Sequence, residues 1–273
     1  MVADPGIARL SLNQATTEPW SLAETVAGCA RAHIPAIGLW RHKVAEAGLQ
    51  QSARLVRNAG LRVSSLCRGG MFVAASADER AARIDDNRRA IHEAAELGAP
   101  VLVLVCGGLV GRDIGAARQM VIEGIAAIVP DASACGIRLG IEPLHPMYAA
   151  DRSVIVTLAE ALLIAEQFPS QTVGVVIDVY HVWWDPQIDA QIARARGRIV
   201  GLHVNDWLTP LPDPLLGRGM MGDGVIDVRR LRRAVDAAGY DGPIEVEIFN
   251  RAIWNMPGDV VLARVCEAYR AYV

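Results

Sequence analysis

The sequence predicts a single (β/α)8 TIM barrel, an α/β fold in which eight parallel strands alternate with helices. Eight short apolar runs are separated by longer stretches with helical periodicity. At 273 residues the chain has a length at which this fold forms one domain, so we assign residues 1–273 to it. A doubly wound sheet is the alternative, but no GxGxxG motif follows the first run.

The first four strands are predicted at IARLSLNQ (7–14), AIGLW (36–40), LRVSSLC (61–67) and PVLVLVC (100–106). A helical pattern follows each strand, for example DERAARIDDNRRAIHEAAELG (78–98). Glycine pairs follow the third and fourth strands, and such glycines suit the close approach of a ligand to backbone amides. Arg68, between the third strand and its glycine pair, is a candidate substrate contact.

The last four strands are predicted at IRLGIEP (137–143), VGVVIDV (173–179), IVGLHVN (199–205) and PIEVEIF (243–249), before a final helix at 257–273. Each strand ends in side chains that can bind a metal ion. Because the carboxyl ends of the strands meet at the mouth of such a barrel, we expect these side chains to converge there. The candidates are Glu142, Asp178, His203 and Glu247.

Strand alternation supports this choice, since side chains two residues apart share a face. One layer below the four candidates, the inward residues would be Gly140, Val176, Gly201 and Glu245. We expect the space over the two glycines to admit Glu245 as a support for the site, with Glu247 as the ligand. Exchange of these two glutamates is the alternative.

Three carboxylates and one imidazole suit one divalent metal ion with positions left open for substrate oxygens. We expect Mn²⁺, with Mg²⁺, Co²⁺ or Zn²⁺ as alternatives. A lone acidic residue or histidine at a strand end is usually a surface or capping group. The coincidence on four consecutive strands is what favours a site.

Composition excludes several classes of function. The net charge of −3, without a block of like charges, argues against binding of nucleic acid. The sequence contains neither a signal-peptide pattern nor an apolar run long enough for a membrane span. Five cysteines without a CxxC pair fit a reducing, cytoplasmic location. The only lysine, Lys43, leaves little room for Schiff-base chemistry.

The motifs GIEP, IDVYH, GLHVND and VEIFN, in this order, resemble the sugar phosphate isomerase/epimerase family of xylose isomerase-like barrels. Its relatives include ketose 3-epimerases, inosose isomerases and dehydratases, and nucleases of the endonuclease IV type. The resemblance implies that the metal ligands are Glu142, Asp178, His203 and Glu247. It further implies that Glu142 and Glu247 act as acid and base, and that His181 and Arg218 contact substrate oxygens.

The function that this resemblance implies is isomerisation or epimerisation of a sugar, cyclitol or related keto-polyol through a metal-stabilised enediolate. A metal-dependent lyase that removes a β-hydroxyl from a keto-sugar or inosose is the main alternative. A nuclease would need further histidines on early strands, which here end in Cys67 and Cys106. A binding module without catalysis would be expected to lack one of the four ligands.

Trp183, just after His181, has two interpretations. Its ring would line the substrate pocket against the apolar face of a sugar, or it would bury against a second subunit. A homo-oligomer is therefore left open.

Overall fold

Eight parallel strands close into a barrel in the computed structural model of the chain, which describes residues 5–273. The eight barrel strands are β1 (Leu10–Asn13), β2 (Ala36–Trp40), β3 (Arg62–Gly70), β4 (Val101–Val105), β5 (Arg138–Ile141), β6 (Val173–Asp178), β7 (Ile199–Val204) and β10 (Ile244–Val246). Two short strands between β7 and β10, β8 (Asp206–Trp207) and β9 (Arg218–Gly219), form a separate antiparallel pair. Strand β1 pairs with both β2 and β10, which closes the barrel. The predicted (β/α)8 fold is confirmed.

Helices connect the strands: α1 (Leu22–Arg31), α2 (Arg41–Ala47), α3 (Leu49–Asn58), α4 (Ala77–Leu97), α5 (Ile114–Cys135), α6 (Leu158–Ala165), α7 (Val179–Val182), α8 (Ile188–Arg194), α9 (Val228–Ala237), α10 (Arg251–Trp254) and α11 (Gly258–Tyr272). Side-chain caps set several helix starts; for example, Ser21 accepts a hydrogen bond from the N–H of Glu24. Within residues 5–273, no helix combines the length and the apolar character that crossing a membrane requires.

The continuous apolar runs are strands that are buried on both faces. In β4, Val101 and Val103 belong to a small cluster inside the barrel, whereas Leu102 and Leu104 belong to the large cluster that includes residues of the surrounding helices. Parallel strands covered by helices outside and by side chains inside have no polar face, which explains the absence of alternation in their sequences.

The layer beneath the mouth differs from the prediction. A Cβ atom on Gly140 would lie 2.7 Å from Cγ2 of Val176, and one on Gly201 would lie 3.3 Å from the same atom. Valine therefore fills the space over both glycines, and the expectation that Glu245 lies there is wrong. Glu245 lies instead against Gly38 of β2, whose Cβ would come within 2.1 Å of Oε2. The reason is that β10 neighbours β1, so its inward side chain reaches toward the early strands.

Candidate active site

Four side chains from four adjacent strands meet at the carboxyl end of the barrel. Their donor atoms all lie within 4.8 Å of one another, and all four residues are buried: Glu142, Asp178, His203 and Glu247. The structure thus brings together the whole predicted ligand set. Whether these residues bind a metal stays a prediction at this point.

Strand register explains the convergence. Asp178 of β6 and Glu245 of β10 are both paired with His203 of β7. Since paired residues of parallel strands share a face, all three side chains point into the barrel. Glu247 lies two residues beyond Glu245, so it returns to the same face one layer higher, nearer the mouth.

His203 lies at the centre of the cluster. Its Nδ1 is 3.2 Å from Oε1 of Glu142 and 3.7 Å from Oε2 of Glu247, and its Nε2 is 3.7 Å from Oε2 of Glu245. The geometry is not that of hydrogen bonds: among residues 5–273, neither ring nitrogen nor Oε1 of Glu142 has a hydrogen-bond partner. Buried polar atoms without partners are costly, and a coordinated cation would satisfy them. The donor set therefore fits a divalent ion.

The pKa values in this cluster are strongly perturbed. Burial raises the pKa of Glu142 above its ordinary value. Burial also opposes the charge of Glu247, but His203 and Arg218 outweigh it and lower the pKa of that carboxyl group. For His203, burial is outweighed by the carboxylates of Glu245, Glu142 and Glu247, which hold its pKa well above the usual range. The site is a dense set of interacting buried charges.

Arg218 of β9 is the cation that the structure places against this cluster. Its Nη1 donates to Oδ2 of Asp178 at 2.8 Å and to Oε2 of Glu247 at 3.0 Å. The guanidinium group lies over the rings of Tyr180 and Phe249, at 4.7 and 4.8 Å from their centroids. The residue expected to contact substrate is therefore buried beside the candidate ligands.

His181 lies next to Arg218. Its Nδ1 accepts a hydrogen bond from the backbone N–H of His145 at 3.2 Å, and burial lowers the pKa of its imidazole to about 3. A neutral imidazole has one acceptor nitrogen, so the proton is assigned to Nε2. This Nε2–H lies 3.3 Å from Nη2 of Arg218, which is also a donor. Two donors thus converge, and both would be satisfied by one acceptor oxygen.

A pocket of about 160 Å³ adjoins the cluster. The predicted contacts Arg68, His181 and Arg218 line it together with Glu142 and Glu247. Trp183 is not one of the residues that line this pocket, because its ring packs against Trp207 at a centroid distance of 5.6 Å.

Sequence reasoning missed several residues that line the pocket, among them Trp40, Tyr148, Arg152 and Phe249. Two of them carried a usable signal. Phe249 lies two residues after Glu247 and so shares its face, and Trp40 is the last residue of β2. Tyr148 and Arg152 lie in the loop after β5, whose course no periodicity reveals.

One buried carboxylate accepts four backbone hydrogen bonds in and around the loop that carries Arg218. Oδ1 of Asp206 accepts hydrogen bonds from the N–H groups of Trp207 and Ile226, at 2.8 and 2.9 Å. Oδ2 accepts from the N–H groups of Gly222 and Gly224, each at 2.9 Å. Asp206 therefore fixes the path of the chain between β7 and α9, and with it the position of Arg218.

Fold and site together define a (β/α)8 barrel with a buried carboxylate–histidine cluster at its mouth. A family model described as the xylose isomerase-like TIM barrel matches residues 27–271. The chain belongs to this family, as its strand-end motifs indicated.

Several known proteins are similar to the chain. The crystal structure of protein SMc04130 from Sinorhizobium meliloti 1021 has a TM-score of 0.95 and 53% sequence identity, over 97% of this chain and 98% of that one. L-ribulose-5-phosphate 3-epimerase UlaE from Escherichia coli O1:K1 / APEC is 25% identical over 217 residues, 75% of this chain and 71% of its own length. The structure of the IOLI protein with a binding zinc atom shares the fold, with a TM-score of 0.83 and 16% identity over 97% of this chain and 99% of that one.

We expect Asp206→Asn to lower the melting temperature, because an amide nitrogen would replace one of the two oxygens and face N–H donors. Leaving buried donors without acceptors costs about 1–3 kcal/mol. Thermal unfolding followed by circular dichroism measures the effect. Asp213→Asn is the matched control, since Oδ1 alone accepts from the N–H groups of Leu215 and Leu216 and an asparagine oxygen can do the same. Equal melting temperatures for the two variants would contradict the role given to Asp206.

Proposed function

We propose that the protein is a divalent-metal-dependent isomerase or epimerase that acts on a sugar, cyclitol or related keto-polyol. The observation that carries the proposal is the buried cluster of Glu142, Asp178, His203 and Glu247 in a barrel of the xylose isomerase-like family. Two comparisons support it: the E. coli relative is named a 3-epimerase of L-ribulose 5-phosphate, and the IOLI structure holds a zinc atom. We propose Mn²⁺ as the native ion, with Zn²⁺, Mg²⁺ or Co²⁺ as alternatives.

Glu142, Asp178, His203 and Glu247 would hold the ion. When bound, it would stabilise the negative charge that develops on two substrate oxygens as the proton beside a carbonyl group is removed. Glu142 and Glu247 would move that proton. They follow β5 and β10, which are separated in the barrel by β6 and β7, so the two carboxylates flank the site from different sides. One can remove the proton from one face of the substrate and the other can return it on the opposite face.

Positioning of the substrate would fall to groups around the carboxylates. The N–H groups of His181 and Arg218 converge on one place, where a hydroxyl or carbonyl oxygen would accept from both. The ring centroids of Trp40 and Phe249 lie 5.7 Å apart. The two rings give the pocket an aromatic side suited to the apolar C–H face of a sugar. A homo-oligomeric state and a cytoplasmic location stay predictions.

We expect the purified protein to bind about one divalent ion per chain, because the four ligands form one site. Incubation of the Mn²⁺-loaded protein with a panel of ketoses and inososes in D₂O, followed by proton NMR, should show exchange at the carbon beside the carbonyl. Protein stripped with a chelator is the control and should show no exchange. Loss of water from the substrate would identify a lyase instead, and two or three tightly bound zinc ions would indicate a nuclease.

The two glutamates of the last strand should differ in their effects. Glu247→Gln should abolish turnover and weaken metal binding, because it removes a carboxylate from the cluster. Glu245→Gln should retain turnover at saturating Mn²⁺ and weaken metal affinity by about 10-fold, since Glu245 faces the far nitrogen of His203 and would orient a ligand. Metal titration and kcat measured at high Mn²⁺ separate the two cases. The reverse pattern would show that the two residues have exchanged roles.

We expect His181→Ala to lower kcat/KM by about 10-fold or more while the metal content stays near normal, since the side chain would donate a hydrogen bond to a substrate oxygen that becomes charged. Metal analysis and steady-state kinetics on one preparation test this. His92→Ala, an exposed substitution on α4, is the control. Loss of the metal would make His181 a ligand, and an unchanged kcat/KM would leave it a structural role.

A further inference from the structure

The side-chain amide of Asn13 connects the wall of the pocket to the candidate metal ligands. Asn13 is the last residue of β1 and is fully buried. Its Oδ1 accepts hydrogen bonds from the indole N–H of Trp40, at 2.7 Å, and from the backbone N–H of Ala15, at 3.0 Å. Its Nδ2 donates to Oε2 of Glu245 at 2.9 Å. One side chain therefore contacts both a residue that lines the pocket and the carboxylate that faces His203.

The partners of Asn13 determine how its amide is oriented. The indole nitrogen of Trp40 and the backbone nitrogen of Ala15 can only donate, so the amide atom that they face is the oxygen. The amide nitrogen then faces Glu245, whose carboxylate accepts its hydrogen bond. Asparagine suits this position because it offers an acceptor on one side and a donor on the other, without a charge.

Both partners of Asn13 are also held at the places where they meet the site. Oε2 of Glu245 lies 3.7 Å from Nε2 of His203. The carboxylate has room there because β2 contributes Gly38, where a Cβ would lie 2.1 Å from Oε2. The ring of Trp40 lines the pocket, and its backbone N–H donates to Oε1 of Gln14 at 2.8 Å. The contacts of Asn13 thus act on two groups that have few alternative positions.

We infer that Asn13 is a positioning residue that sets the aromatic wall of the pocket and the orientation of His203 at the same time. This inference rests on the proposed function and adds a residue to that same site. Through Trp40, the amide determines where the apolar face of a sugar would lie. Through Glu245, it determines where Nδ1 of His203 points, because a ligating histidine is oriented by the partner of its second nitrogen. The placement of substrate and ion therefore depends on one buried amide.

A role as a helix cap alone gives a different expectation. Asn13 is the N-cap of the 3₁₀ helix Gln14–Thr17, and a cap needs only an acceptor for a backbone N–H. If capping were its whole role, loss of the side chain would lower the melting temperature and leave metal affinity unchanged. The hydrogen bonds to Glu245 and from Trp40 have no part in such a cap.

The test uses Zn²⁺ as a diamagnetic probe, with its affinity measured by calorimetry and the indole N–H signal of Trp40 followed by nitrogen–proton correlation NMR. Asn13→Ala should weaken Zn²⁺ binding by about 10-fold, because His203 loses its orientation. It should also move the Trp40 signal to higher field, since the acceptor is gone. Trp40→Phe, which assigns the signal, should leave Zn²⁺ affinity unchanged. Glu245→Gln should weaken Zn²⁺ binding while the Trp40 signal stays in place.

Ser64→Ala is the matched control. It also removes a buried hydrogen bond between barrel strands, that of Ser64 Oγ with Ser11 Oγ at 2.7 Å, and it should change neither Zn²⁺ affinity nor the Trp40 signal.

If Asn13→Ala does not fold, two other measurements test the inference. Gly38→Ala should weaken Zn²⁺ binding, because its Cβ would displace the carboxylate of Glu245. In the unaltered protein, the indole proton of Trp40 should exchange slowly in D₂O, because it is bonded to Asn13.

Unchanged Zn²⁺ affinity in a folded Asn13→Ala variant would overturn the inference and leave Asn13 a helix cap. An unshifted Trp40 signal in that variant would overturn it as well. Either result would leave the proposed function standing if the protein binds a divalent ion and exchanges α-protons in D₂O. A protein that binds no divalent ion and exchanges no proton would overturn the proposed function, and this inference with it.

Discussion

Repulsion among buried carboxylates is the constraint on which the rest of the site depends. Asp178, Glu142, Glu247 and Glu245 are all at most 5% exposed at one end of the barrel. Such an arrangement is unfavourable unless each charge is paired or hydrogen-bonded. Fixed donors meet part of the demand: the N–H of Tyr180 and the amide of Asn205 donate to Oδ1 of Asp178, at 2.9 and 3.0 Å. These donors do not balance all of the negative charge of the carboxylates. A divalent cation and Arg218 would together neutralise the remainder.

The need for the positive charge of Arg218 at this place explains why many hydrogen bonds hold the loop after β7. Arg218 is 40 residues from Asp178 in sequence, and it reaches the cluster only because the intervening chain follows one path. Asp206 holds that path with four backbone hydrogen bonds. The hydroxyl groups of Tyr148 and Tyr180 both donate to the carbonyl oxygen of Pro214, which anchors the loop on its other side. Residues remote from any chemistry thus determine where the positive charge lies.

The sequence predicted the barrel and the cluster because both follow from periodicity. Alternation along β6, β7 and β10 puts Asp178, His203 and Glu247 inside at the mouth, whatever the loops do. The position of Glu245 was not predictable in the same way. Alternation shows that a side chain points inward, but it does not show which strand across the barrel the side chain contacts. The contact depends on how side chains fill the interior of the closed barrel. Arg152 and Tyr148 were not predicted, because they lie in a loop whose position depends on tertiary contacts.

The early strands, which carry no residue of the candidate ligand set, nevertheless shape the candidate metal site. The amide of Asn13, at the end of β1, donates to Oε2 of Glu245 at 2.9 Å, and the missing side chain of Gly38 on β2 leaves the space that this carboxylate occupies. Glu245 in turn faces Nε2 of His203, so that Nδ1 is directed at Glu142 and Glu247. A ligating histidine is usually oriented by a partner on its second nitrogen, and here that partner is placed by β1 and β2. The half of the barrel with no candidate ligand of its own therefore sets the orientation of the central one.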